Sequence, residues 1–310
     1  MIRAVIDVGS NSIKMRAARI TQGQVKLICD ETEVVKLGRG MNAGSSPQLR
    51  EDSMKRSCDA VKRMVKKAEK YGAEIFIAGT MALRTAKNAD EFLKMVKSST
   101  GHEVHVLTGE QEARYSWKGA TEGFNINGNT VMFDTGGGST EFAYGVSGVM
   151  KEVVSIPVGA VNLTEKFFSN STEPVKLSTC DNAVKYIQDI LNGHSIVKTA
   201  SSLCANIIGV GGGVVAMSGV KNACEYFMPS KLHGSILTLR DVKSQIKLYS
   251  SLKLDEREGI IGLPPSRADV ILGSACIVYS LLNVLGAGKF TVSINGLRQG
   301  LLLSDVFSDI

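Results

Sequence analysis

Residues 131–142 read VMFDTGGGSTEF, and the fold is decided there. An apolar run, Val131 to Phe133, ends in Asp134; three glycines follow, and Ser139-Thr140-Glu141 opens a second strand. Glycine lets the backbone take φ > 0 and come close to a ligand without a Cβ in the way. Successive N–H groups in such a turn form a concave anion site, which phosphate fills well. A plain hairpin explains Gly-Gly between apolar runs equally well, so the segment alone leaves both readings open. Repetition separates them. Ala4-Val5-Ile6-Asp7 is a short apolar strand ending in an acid, followed by Val8-Gly9-Ser10-Asn11-Ser12 and a second strand, Ile13 to Ile20. Asp7 taken alone would be a turn-starting residue. Two such hairpins, each beginning with an Asp at a strand end, point instead to two related halves that face each other and hold a phosphate from both sides.

The rest of the sequence fits a packed protein of that design. With 310 residues, 44% hydrophobic and 21% charged, two domains are expected. No run of about 18 apolar residues appears, and MIRAVIDVGS enters a strand with no cleavage-type segment, so a cytoplasmic protein without a membrane partner is expected. The six cysteines, Cys29, Cys58, Cys180, Cys204, Cys224 and Cys276, form no CxxC pair and have no His at ligand spacing, which predicts reduced thiols and no zinc site. A net charge of +6 attracts polyanions without choosing among them. Nucleic acid is not expected, because no concentrated basic face or reading motif is present. Lys62-Arg63 and Lys66-Lys67 have helical spacing with Val61, Met64, Val65 and Ala68 on the other face, as on a solvated helix.

The pair IDVGSNS and FDTGGGSTE resembles the two phosphate loops of the actin and hexokinase ATPase fold, and specifically those of the exopolyphosphatase/guanosine pentaphosphate phosphatase (Ppx/GppA) family. Members of that family hydrolyse terminal phosphates from inorganic polyphosphate or from pppGpp. Other segments resemble it in order: Gly79-Thr80-Met81-Ala82-Leu83-Arg84, Gly109-Glu110-Gln111-Glu112-Ala113-Arg114, Pro157 to Thr164, Arg267-Ala268-Asp269 and Gly296-Leu297-Arg298-Gln299-Gly300. The resemblance implies an α/β chain of two actin-like (ribonuclease H-like) domains of the actin/hexokinase ATPase superfamily with an interdomain cleft. Domain I would span 1–124, completed by a C-terminal helix at 296–310, and domain II would span 125–295. The helical domains that longer members carry after these two are not expected, so high processivity is not expected either, and a homodimer is.

The resemblance also implies roles. Gly9, Ser10, Asn11 and Ser12 on one hairpin, with Gly136, Gly137, Gly138 and Ser139 on the other, would cradle the terminal phosphate. Asp7 and Asp134 would hold Mg²⁺ or another divalent cation, a hard ion that takes oxygen ligands and keeps some water. Glu112 would take the proton from the attacking water, Glu141 would place that water or the metal, and Arg84 would neutralise charge on the oxyanion. Gly211 and Gly212, a glycine loop between the strand Asn206 to Val210 and a helix, would close the back of the phosphate channel. A tight strand-to-helix turn would need only one of the glycines at 211–213. Where the family has a second Glu before the base, this chain has Gln111; Glu110 and Glu112 in a first turn could equally be capping residues. Arg267 and Asp269 could be functional or a structural ion pair. The histidines, His102, His105, His194 and His233, are read as ordinary surface or loop residues, Trp117 as core packing, and 169–174 as a polar loop. The expected activity is release of orthophosphate from the end of inorganic polyphosphate. The alternatives are a pppGpp 5′-phosphohydrolase making ppGpp, a kinase on the same fold, and a sensor that binds guanosine penta- or tetraphosphate or polyphosphate without turnover.

Overall fold

A computed structural model describes residues 1–42, 44–169, 173–203 and 205–307. Cys204 and residues 170–172 of the expected polar loop at 169–174 therefore lie outside the described residues. The chain divides into two compact units, Met1–Gly119 with Leu297–Ile310, and Ala120–Gly296.

The first unit is built on a five-stranded sheet of order β3-β2-β1-β4-β5. Its strands are β1 (Ile2–Val8), β2 (Ser12–Thr21), β3 (Gln24–Val34), β4 (Glu74–Gly79) and β5 (Val104–Val106), with helices α1 (Glu51–Lys70), α2 (Met81–Thr85), α3 (Ala89–Thr100), α4 (Gly109–Thr121) and, returning at the end of the chain, α13 (Leu297–Leu302). β1, β2 and β3 form an antiparallel meander, and β4 runs parallel to β1. Side chains alternate across a strand. Ala4, Ile6 and Val8 thus join the core under α1 with Met54, Cys58, Val61 and Val65, while Val5 joins Leu297, Leu301 and Leu302 on the opposite face. Each fully buried aliphatic side chain contributes roughly 1.5–3 kcal/mol. α13 comes close to α4 at Gly300, where a Cβ would overlap the Tyr115 carbonyl.

β3 has no counterpart in the sequence reading, because Lys26, Asp30, Glu31 and Glu33 interrupt its apolar alternation. The structure gives those acids partners: Glu31 and Glu33 pair with Lys67 and Arg63 of α1. Asp30 receives Arg16 at 2.6 Å and Arg298 of α13, while Arg16 also donates to Gln299 at 3.1 Å. Burial alone would raise the Asp30 carboxyl, but the charges and hydrogen bonds of Arg298 and Arg16 hold it below its ordinary value of 3.8. Asp30→Asn should cost about 3 kcal/mol, because it strands two partly buried guanidinium groups. A carboxyl lowered on folding stabilises only where it is ionised. The advantage of wild type over D30N should therefore be full above pH 3.8 and disappear as the pH falls through the lowered native value, which denaturant melts against pH will read.

The second unit repeats this wiring. Its strands are β6 (Asn129–Thr135), β7 (Thr140–Val146), β8 (Val149–Ile156), β9 (Asn206–Val210), β10 (Ile236–Thr238) and β11 (Lys289–Val292). Its sheet order is β10-β11-β9-β6-β7-β8. The meander β6-β7-β8 matches β1-β2-β3, and β9 lies parallel beside β6 as β4 does beside β1. Both units thus share one strand topology. The helices are α5 (Ala160–Phe167), α6 (Leu177–Asn192), α7 (Ser195–Ser201), α8 (Gly212–Lys221), α9 (Pro229–Leu232), α10 (Leu239–Ser251), α11 (Leu254–Glu258) and α12 (Ile271–Val284). α12 is apolar all round and buried among α5, α6, α8 and α10, as such a helix must be.

A 3-10 turn at Pro265–Arg267 precedes α12. The closing helix ends at Leu302, a second 3-10 turn follows at Asp305–Phe307, and 308–310 lie outside the described residues. Two histidines do more than lie on the surface: His105 stacks on Phe76 with ring centres 4.6 Å apart, and His233 rests on Phe124 and accepts from the Ile294 N–H at 3.4 Å. Trp117 is buried. No described helix is long and apolar enough to cross a membrane.

Candidate functional site

Both Asp-containing hairpins close with the same bond. In the first unit the Gly9 N–H donates to the Ser12 carbonyl at 3.1 Å; in the second, Gly136 N–H donates to Ser139 at 2.9 Å. A neighbouring segment then takes the loop carbonyls. Gly38 N–H donates to Ser10 O at 2.8 Å, and Val35 and Lys36 donate to Asn11 O at 3.1 and 2.9 Å. On the other loop, the first residues of α5 do this work: Ala160 N–H to Gly136 O at 3.1 Å, Val161 to Gly137 O at 2.8 Å, and Asn162 Nδ2 to Gly138 O at 3.1 Å.

This arrangement has a consequence for the amides. A trans peptide is planar, with C=O and the following N–H pointing opposite ways. Pinning the carbonyls to one side turns the N–H groups of Asn11 and Ser12, and of Gly137, Gly138 and Ser139, to the other. Among the described residues no carbonyl accepts from Asn11, Gly137 or Gly138. Each loop is thereby a small set of donors, the arrangement that binds an anion.

Packing makes the buttresses specific. A Cβ at Gly38 would meet Ser10 Cβ at 3.1 Å, and one at Gly159 would overlap the backbone of Gly137 and Gly138. Gly38 was not singled out by sequence reasoning, and Gly159 and Asn162 fell within the segment Pro157 to Thr164 that resembles the family, read there as a helix entry with no part in holding the loop. The available signal was a glycine in K-L-G-R-G and in P-V-G-A at no obvious turn.

Asp7, Ser10, Asn11 and Ser12 are all buried at the first loop. Burial raises the Asp7 carboxyl above its ordinary value, against the opposing pull of Lys14 and Arg298. Asn11 Oδ1 is buried with no hydrogen-bond donor among the described residues. A buried carboxylate with an unmet oxygen acceptor nearby in the loop fits a hard cation, which takes one or two carboxylates and keeps its waters.

Arg84 and Glu112 are brought together in the same unit. β4 ends at Gly79, Thr80 bonds back to Val8 O, and α2 carries Arg84, whose Nη1 donates to Leu107 O at 2.7 Å and Glu112 Oε2 at 3.0 Å. Both bonds use Nη1, leaving Nε and Nη2 for another acceptor. Glu112 is 8% exposed. The neighbouring polar residues separate by position on the helix. Glu110 pairs outward with Arg114 at 2.6 Å, while Gln111 accepts from Thr108 N–H at 2.9 Å and donates its own N–H to Thr108 Oγ1 at 3.1 Å. That is a capping box, so Gln111 does the capping and Glu112 does not.

In the second unit Asp134 and Glu141 face each other across β6 and β7. Glu141 is 2% exposed and accepts from Ser139 Oγ at 2.7 Å and Ser155 Oγ at 2.8 Å. Ser139 thus carries a loop amide and steadies Glu141. Gly296 comes near Asp134: a Cβ there would stand 3.2 Å from Oδ2. Thr135 Oγ1 is buried without a hydrogen-bond partner among the described residues.

Each of the glycines at 211–213 has its own packing requirement. Gly211 has φ of 118° and lies on the Thr135 carbonyl, Gly212 lies under the Arg267 guanidinium, and Gly213 lies against Ser274. A plain turn would not have needed all three.

The model of the Ppx/GppA phosphatase family matches residues 17–308. Among curated proteins, a bifunctional 3-dehydroquinate synthase/phosphatase of Fusobacterium nucleatum is 30% identical over 98% of this chain and 46% of its own length. A guanosine-5′-triphosphate,3′-diphosphate pyrophosphatase of Vibrio cholerae is 28% identical over 96% of this chain and 58% of its own. The chain thus spans about half the length of these curated relatives. Among solved structures, the PPX-GPPA enzyme of Aquifex aeolicus is 30% identical, with a TM-score of 0.80 over 98% of this chain and 99% of that one. An exopolyphosphatase of Cytophaga hutchinsonii, 22% identical, has a TM-score of 0.88 over 100% and 99%, a likeness of fold alone.

Proposed function

The chain belongs to the Ppx/GppA phosphatase family, and from that premise we propose that it hydrolyses a terminal phosphoanhydride bond, with guanosine 5′-triphosphate,3′-diphosphate as the preferred substrate. The observation that carries the reaction class is the matched pair of loops whose carbonyls are tied away from their amides. The guanosine substrate replaces the expected preference for inorganic polyphosphate, because curated relatives at 27–29% identity carry the pyrophosphatase name. Polyphosphate is the second substrate.

In this reading the loop amides of Asn11, Ser12, Gly137, Gly138 and Ser139 hold phosphate oxygens, and the buried hydroxyls of Ser10 and Thr135 add donors. Glu112 accepts the proton of the attacking water at its carboxylate. Arg84 orients Glu112 through Nη1, while Nε and Nη2 meet the charge that grows on the transferred group. Glu141, fixed by two serine hydroxyls, orders water near Asp134. Asp7 and Asp134 would hold Mg²⁺, which would supply neutralisation of phosphate charge. Gly211 and Gly212 would add to the phosphate site of the second loop, Gly211 lying on the Thr135 carbonyl. The cytoplasm is where this substrate is met.

The test is phosphate release from guanosine 5′-triphosphate,3′-diphosphate and from long-chain polyphosphate, with Mg²⁺ and no acceptor. Faster release from the guanosine compound is expected. Faster release from polyphosphate would restore the exopolyphosphatase reading, and turnover only with an added acceptor would make the protein a kinase. Tight binding without release would make it a sensor.

A further inference from the structure

His233, at the end of α9, touches both segments by which the second unit joins the first. The chain passes between the units at Gly119–Ala120 and again at Gly296–Leu297. Near the first crossing, Phe124 lies against the His233 ring, with centroids 4.6 Å apart and planes at 40°. Near the second, the Ile294 N–H donates to His233 Nδ1 at 3.4 Å and has no other acceptor among the described residues. The backbone under the ring is fixed: His233 N–H donates to Pro229 O at 2.9 Å, Gly234 N–H to Val292 O at 2.8 Å and Val292 N–H to Ser235 O at 2.8 Å. From Ile294 the chain leads to the site. Ser293 N–H donates to Gly209 O at 2.9 Å and Asn295 N–H to Ser293 Oγ at 3.2 Å, a tight turn that delivers Gly296. A Cβ at Gly296 would stand 2.7 Å from Val210 Cγ1 and 3.2 Å from Asp134 Oδ2.

We propose that neutral His233 is a positioning residue that pins Phe124 and Ile294 together, holds Gly296 against Asp134 through Ile294, and lets go when its ring is protonated. The effect on rate rests on the hydrolysis proposed above; the pin itself does not. Nδ1 accepts only while it carries no hydrogen, so the pinned ring is the neutral one with its hydrogen on Nε2. Protonation adds a hydrogen at Nδ1, which then faces the Ile294 N–H donor to donor, and the bond is lost.

The surroundings set the direction of the switch. The connector 120–128 brings Glu122, α9 brings Lys231, and β11 brings Lys289 at its far end. α8 brings Lys221, whose Nζ is tied to Ile236 O at 2.8 Å and Asp241 at 2.7 Å, and the turn 293–296 brings no titratable side chain. Of these, only the Glu122 charge acts on the ring: burial lowers the His233 pKa below its ordinary value of 6.5, and Glu122 opposes it. The unfolded chain therefore binds the proton more readily than the native one. The contribution of the pin is full above pH 6.5 and is lost as the pH falls through the lowered native value.

His233→Asn and His233→Phe separate the parts. The Asn side-chain oxygen can accept from the Ile294 N–H and does not titrate, whereas Phe keeps the contact with Phe124 and cannot accept. Amide hydrogen exchange at Ile294, followed by NMR on the whole chain, reads the pin without turnover. At about pH 8 the Ile294 amide should be protected about tenfold more in wild type and H233N than in H233F, and at about pH 5 wild type alone should lose that protection relative to H233N. The ratio of wild-type to H233N kcat/KM for phosphate release should be near unity at about pH 8 and fall about tenfold by about pH 5, since a shift of about 1 Å near a reacting phosphate costs up to about 10²-fold. Glu122→Gln should move that fall to lower pH, and it decides the matter if the His233 variants do not fold. Equal Ile294 protection in all three proteins overturns the pin. Protection that follows the ring while the wild-type and H233N rate profiles superimpose overturns the positioning role. A chain that pins Ile294 as expected and releases no phosphate at any pH counts against the hydrolase reading alone.

Discussion

Glu112→Gln should lower turnover by about 10²-fold or more while leaving KM within a fewfold, because a positioned general base acts in the transition state and not in ground-state binding. The substitution is conservative for the fold. The amide oxygen can still accept from Arg84 Nη1, which also keeps its bond to Leu107 O. What is lost is the capacity to take a proton, together with one partly buried ion pair whose side chains are 25% and 10% exposed. The stability change should therefore be small, about 1 kcal/mol, and the melting curve is the control. Phosphate release under saturating substrate reads the effect. An unchanged turnover would remove Glu112 from the chemistry and leave Arg84 and Glu112 as a structural pair. A large rise in KM at constant turnover would make the carboxylate a substrate-binding group.

Glu112 also shows how far a sequence can be read. Local chemistry reveals a helix start at Thr108 to Glu112, but does not tell which of Glu110, Gln111 and Glu112 caps, which pairs on the surface and which turns inward. Helical spacing sorts them only once β5 and α2 are in place, since it is Arg84 and the Leu107 carbonyl that give the inward residue its surroundings. The two Asp hairpins were legible because a strand, an acid and a small-residue turn are contiguous. The buttresses were not. Val35 to Gly38 and Gly159 to Asn162 act mainly through backbone N–H groups, which every sequence has, and through the absence of a Cβ. β3 was hidden for a related reason: its charges look like solvent-facing loop residues until Arg63, Lys67 and Arg298 are seen opposite them. The repetition of the meander was legible at its turns, and only in the first unit was its third strand illegible.

Gly159→Ala should damage the second loop as severely as loss of a side chain that touches substrate. Gly159 has φ of −137° and ψ of 161°, extended backbone that any residue adopts, so conformational freedom is not why glycine stands there. The reason is contact: a Cβ would overlap Gly137 O and the Gly138 backbone. Backbone cannot rotate away as a side-chain tip can. Either α5 or the loop must shift, and with it the bonds from Ala160, Val161 and Asn162 that hold the three loop carbonyls. Overpacking of this kind costs about 1–3 kcal/mol. The functional loss should be larger, because a shift of about 1 Å in groups that position a reacting phosphate lowers kcat/KM about 10²-fold. Gly288→Ala is the matched control, as nothing lies within 4 Å of the added Cβ, and it should leave both melting and rate unchanged. If G159A kept the kcat/KM of G288A, the inward turn of the Gly137, Gly138 and Ser139 amides would not be what binds phosphate. The paired-loop account of the site would then rest on the first hairpin alone.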